Sequence, residues 1–110
     1  MATTYKVLGQ VNPSATTETD LYTVGSGKSA IVSTITVCNQ ASSTATYRIV
    51  IRPSADASTA AKHYIAYDTS VGANNTTALT LGITLAASDK IRVYGSSSTI
   101  SFSAFGSEIA

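Results

Sequence analysis

A chain of 110 residues and 11.3 kDa is sized for one domain and can build a core without metals or disulfide staples. Only 12% of it is charged against 44% hydrophobic, and a net charge of +1 supplies no field to gather phosphates, which argues against a nucleic-acid binder. One cysteine, Cys38, excludes an internal disulfide and a thiolate metal cluster. It falls in an apolar run, where a free thiol packs as a small hydrophobe, so a buried, inert side chain is expected. The polar surface must come from 16 serines and 17 threonines, a composition compatible with strands and with close packing of many copies.

In chain order, Tyr5 to Val11 reads as a first short strand closed by the Asn12-Pro13 turn signal, and Leu21 to Val24 as a second, stopped by Gly25-Ser26-Gly27. Ala30 to Asn39 is the longest. Strict alternation there puts Ile31, Ile35 and Val37 on one face and Val32, Thr34 and Thr36 on the other, as in a central strand covered on both sides. Ala45 to Arg52 alternates Tyr47, Ile49 and Ile51 with Arg48, Val50 and Arg52, and Pro53 ends it because proline brings no N–H to a ladder. Ser54 to Ala61 reads as a structured surface loop, with one helical turn starting near Asp56 as the alternative. Lys62 to Asp68 is a fifth strand. From Thr76 to Phe105 a period of two recurs in Leu79, Leu81, Ile83 and Leu85, in Ile91 and Val93, and in Ile100 and Phe102. These runs read as successive strands of one sheet layer, opposed by the rest of the chain. About eight mainly antiparallel strands without a helix indicate an all-β, single-domain sandwich over residues 1–110, with a jelly roll as one form it could take.

The motifs carry little chemistry. Gly25-Ser26-Gly27-Lys28-Ser29 resembles the tail of a phosphate loop, but Tyr22 stands where that motif needs its first glycine, and a strand follows instead of a helix. His63 is the only histidine, and no GxSxG elbow accompanies it, so a Ser-His-Asp set with Asp56 or Asp68 is not favoured. A strand-end position at the surface or in an interface is expected for it. The carboxylates lie in turns or at strand ends. Without tryptophan, the six tyrosines suit core and interface packing better than a sugar platform. No catalytic residue, metal ligand or cofactor is expected. No run approaches the roughly 18 apolar residues of a membrane span, and the start lacks a signal peptide, which implies synthesis in a host cytoplasm.

Taken together, MATTYKVLGQV at the start, YRIVIRPSA and KHYIAYD in the middle, and LTLGITLAASDKIRVY and ISFSAFGSEI near the end resemble a family of small virion structural proteins of tailed bacteriophages, of the aquatic and cyanobacterial type. The resemblance implies a non-enzymatic virion protein, foremost a capsid decoration or cement protein bound to the outer shell of the major capsid protein. It also implies a homo-oligomer, dimer or trimer. A tail, baseplate or fibre component is the alternative within a virion, and a carbohydrate-binding module the alternative of another class. Arg48, Arg52, Lys62, His63 and Tyr64, which flank the long loop, are the expected partner contacts.

Overall fold

The computed structural model describes residues 2–110. Eight strands follow one another: β1 (Thr3–Val11), β2 (Thr19–Thr23), β3 (Ser29–Asn39), β4 (Ala45–Arg52), β5 (Tyr64–Val71), β6 (Thr76–Leu85), β7 (Lys90–Gly95) and β8 (Ile100–Ile109), with one 3-10 turn, Ala61–His63, ahead of β5. They form two four-stranded sheets of order β1-β8-β3-β6 and β2-β7-β4-β5, and every pairing is antiparallel. The first is called sheet A here and the second sheet B. First pairs with last, second with seventh, third with sixth and fourth with fifth. This is the wrapping of one long double ribbon, the jelly-roll form of the sandwich.

The wrapping corrects the reading of Thr76 to Phe105 as one layer. β6 and β8 lie in sheet A, but β7 between them crosses to sheet B. Periodicity reports which residues are hidden but not which sheet hides them. Both inner faces meet in one core. Val32, Ile35, Val37, Phe102 and Ala104 come from sheet A, Tyr47, Ile49, Ile91 and Val93 from sheet B, and all of these are at most 1% exposed. Tyr47 and Phe102 meet edge to face across the gap, with ring centroids 6.3 Å apart, a geometry that aligns ring edges with the electron-rich face.

A second correction concerns β3. Its register with β8 slips between Val32 and Thr34, and its register with β6 slips at the same place. Ser33 is the extra residue against β8, and a bulge residue reverses the alternation beyond it. Val32 and Ile35 therefore both face the core while Ile31 lies outside, 42% exposed. The Ser33 hydroxyl donates to the Phe105 carbonyl at 3.1 Å and secures the bulge. β1 slips at the neighbouring position between Val7 and Gly9, so a crease runs across sheet A. At the crease the Ile31 carbonyl comes so close to Gly106 that no side chain fits there, and Gly9 is pressed in the same way by the Leu21 carbonyl.

Each end of the sandwich has its own fastening. At one end Asn39, 1% exposed, donates through Nδ2 to the carbonyls of Ser43 (2.8 Å), Gly72 (3.2 Å) and Val71 (3.3 Å), and its Oδ1 accepts from the Ala41 N–H and the Thr99 hydroxyl, both at 3.0 Å. One amide thereby ties together the β3–β4, β5–β6 and β7–β8 connections. At the other end the Tyr22 hydroxyl donates to Glu108 at 2.6 Å, and Lys6 reaches the same carboxylate at 3.1 Å. These bonds, Tyr22 first, hold the Glu108 carboxyl below its ordinary range. Burial and the adjacent carboxylate push the Tyr22 phenol up, so it stays a donor.

Candidate interaction face

The outer faces of the two sheets differ in chemistry. In sheet B the outward positions of β4 are Arg48, Val50 and Arg52, those of β7 are Lys90, Arg92 and Tyr94, and Asp20 stands opposite Arg92 on β2. Their charges are matched. Arg92 donates to Glu18 (2.6 Å) and Asp20 (2.7 Å), and Lys90 donates to Asp20 (3.1 Å). Burial opposes the Asp20 charge, but the Lys90 bond and the Arg92 guanidinium outweigh it and hold the carboxyl low. Residues 53–63 fold back over part of this face. Thr59 donates to Glu18 at 2.7 Å and accepts from Arg52 at 3.3 Å, and Val50 is fully buried although it points away from the core.

Of the expected contact residues, Arg48 and Arg52 lie on this covered face. Arg48 grips Asp68 with Nε at 2.7 Å and Nη2 at 3.3 Å, and its guanidinium lies between the rings of Tyr94 (4.2 Å) and Tyr67 (4.3 Å). The Asp68 bond raises its already high pKa. A planar cation held on both faces and along its fork is committed to its own chain. Lys62 is exposed, 4.0 Å from Asp56. Tyr64 is half-buried, edge to face with Tyr67 at 4.8 Å between centroids, and the two rings border an open groove of about 610 Å³ with Thr59, Ala60 and Ala61. The sequence reading placed Lys62 and His63 on the fifth strand, but they form the 3-10 turn before it.

His63 itself is a correction, being 5% exposed instead of at the surface. The Ala60 N–H donates to Nδ1 at 2.8 Å, so Nε2 carries the ring proton and donates it to Asp56 at 2.9 Å. The His63 bond leads the effects that lower the Asp56 carboxyl. Both ring nitrogens are occupied, which leaves neither to take a proton from a serine. The imidazole closes a loop; its burial follows from a turn that sequence periodicity does not register.

Sheet A is different. Its register sets out the outward rows across β1, β8, β3 and β6 in turn: Tyr5, Ser107, Ile31, Thr84; then Val7, Phe105, Thr34, Thr80; then Gln10, Ser103, Thr36, Ala78. None of these is charged. Cys38 continues the face opposite Ser101 and Thr76; it is half-buried and outward, not a core thiol, because the bulge at Ser33 reversed its phase. At one end of the face Tyr5 (85% exposed), Val7 (47%) and Ile31 border an open groove of about 660 Å³ together with Phe105 and Lys6. Scattered exposed apolar residues are ordinary, but a contiguous group whose one charged neighbour, Lys6, is paired with Glu108 marks a surface suited to contact. Thr80, Thr84, Ser101 and Ser103 belong to this face, and Arg92 to the other sheet.

No family model matches the chain, and no curated protein matches it.

Proposed function

We propose that this protein is a non-enzymatic structural component of a tailed-phage virion, a decoration or cement protein that lays the outer face of sheet A against the major capsid shell. The observation that carries the reading is that the outward rows of this face hold no charged residue and gather Tyr5, Val7 and Ile31 at one end, where the neighbouring Lys6 is paired with Glu108, while sheet B is covered in part by residues 53–63 and its charges are paired within the chain. The resemblance of the five sequence segments to small virion proteins supports the same role. Four strands about 4.8 Å apart and about ten residues long present on the order of 600 Å² in projection. That is close to the roughly 800 Å² per partner of a standard interface. Burying an uncharged face costs no ion desolvation, so each copy adds modest affinity and many copies stabilise the shell by mass action.

Binding of the purified protein to empty capsid shells, read by co-sedimentation, tests this. Ile31→Asp is expected to abolish binding while Arg52→Ala leaves it intact, and particle copy number should scale with the capsid subunits. Copy numbers typical of a tail appendage would instead make it a tail, baseplate or fibre part. One observation favours a reading of another class: the groove beside Tyr64 and Tyr67 has the ring-lined form that sugar faces stack on. Glycan-induced chemical shifts that vanish in Tyr67→Ala would support a carbohydrate-binding module.

A further inference from the structure

Four strands lie at sheet edges, and three of them are guarded against pairing with another chain. β1 carries the bulge at Leu8 and, beside it, Lys6. β2 has only five residues and bears Asp20. β5 slips register twice against β4 and turns at Asp68, whose φ is 48°. These are common ways of blunting an edge: bulges, brevity and inserted charge. β6 is the least guarded: its one irregularity is that Leu81 and Gly82 together oppose Ser33 of β3. Its ten residues, TTALTLGITL, hold no charge and no proline, and it is hydrogen-bonded to β3 alone. Its core-facing Leu79, Leu81 and Ile83 are only partly buried, so the hydrophobic layer is left incomplete along this edge.

We infer that β6 pairs antiparallel with β6 of a second copy, joining two sheets A into one continuous eight-stranded sheet across a two-fold axis. The strand is complementary to itself. With the axis at Thr80 or Leu81, each core-phase leucine or isoleucine meets a core-phase residue of the other copy, and each outward Thr, Ala or Gly meets an outward one. An axis between two residues would set Leu against Thr and is disfavoured, because a one-residue slip turns every side chain to the wrong face. Without charge along the strand, no like charges are opposed. The same pairing closes the unfinished edge of the core and doubles the uncharged outer face. A second copy suits this edge better than an unrelated strand because the alternation matches itself in register.

The test is sedimentation velocity of the full chain at about 100 μM, together with the Ala78→Lys/Thr80→Lys double variant, which adds charge at two exposed outward positions. The expected result is twice the 11.3 kDa chain mass for the wild type and a monomer for the variant, with unchanged circular dichroism. If the variant misfolds, Cys38→Ser/Thr80→Cys, for an axis at Thr80, and Cys38→Ser/Leu81→Cys, for an axis at Leu81, decide together, one of them being expected to cross-link. Directly opposed Cα atoms in an antiparallel pair lie about 4.5–5.5 Å apart, within disulfide reach, so mild oxidation should yield a covalent dimer, whereas Cys38→Ser/Ser101→Cys should not. A monomeric wild type, or a dimer that survives the lysines, would overturn the inference while leaving the capsid reading to its own binding test.

Discussion

Replacing Asn39 by alanine removes five hydrogen bonds at a position that is almost fully enclosed. The Val71 carbonyl is the buried member of the set, and stranding it costs about 1–3 kcal/mol. The other four partners are part-buried at the end of the sandwich, where water can replace some of the bonding, and each adds half as much as a full bond, about 0.5 kcal/mol. The total is about 3–5 kcal/mol, a large share of the ~5–15 kcal/mol that holds a domain folded. It corresponds to a melting temperature lower by roughly 12–30 °C in a chain of this size. Urea denaturation followed by circular dichroism measures the free energy, and calorimetry the midpoint. Asn39→Asp is the sharper variant: it keeps Oδ1 but turns the amide donor into an oxygen facing three carbonyls, so it should be worse than alanine. A loss below about 1 kcal/mol for alanine, or an aspartate variant as stable as the wild type, would refute the view that this amide holds three connections together.

Arg48→Lys keeps the charge but loses the fork on Asp68 and the sandwich between Tyr67 and Tyr94, and is expected to cost about 1 kcal/mol in urea unfolding. Because stacking is screened less than an exposed ion pair, most of that loss should persist in about 1 M NaCl. Acid should destabilise the protein in a definite window. The folded-state pKa of Glu108 lies below its ordinary value of 4.5, so its contribution is complete above that value and disappears as pH falls through the folded pKa. Thermal melts should therefore drop below about pH 4.5, with Asp20 and Asp56 acting in the same direction. Glu108→Gln should be less stable at neutral pH and show a shallower acid decline, and an unaltered decline would count against this assignment.

Much of the architecture can be read from residue order because its causes are local. Ala45 to Arg52 alternates cleanly and stops at Pro53, and β4 has those limits. Gly25 to Gly27 predicts a turn, and Gly27 adopts φ of 73° there. What escaped the reading depends on contacts distant in sequence. Whether a strand lies in sheet A or B depends on its partners, so β7 could not be distinguished from β6 and β8 by periodicity. The phase of β3 turns on one extra residue, Ser33, which looks like any serine until its hydroxyl meets the Phe105 carbonyl. Asn39 resembles a turn residue, and nothing nearby announces that it bridges residues 32 and 60 positions away. For the candidate face the signal was partly visible: the scarcity of charge was evident, but its segregation required the register. Arg48 and Arg52 drew attention by being cationic, yet a cation with a carboxylate or hydroxyl partner in its own chain is a poor guide to an interface.

The crease across sheet A divides its outer face into two unlike tiles. On one side of Ser33 lie Tyr5 and Ile31; on the other lie Gln10, Ser103 and Thr36. Whatever rests on the face of one copy meets Tyr5 and Ile31 at one end and Gln10, Ser103 and Thr36 at the other in fixed order, whereas a pair joined through β6 repeats that order about its two-fold axis and looks the same after a half-turn about the face normal. Each copy therefore carries a built-in compass: a single sheet A distinguishes up from down on whatever surface it covers, and pairing through β6 would cancel the distinction.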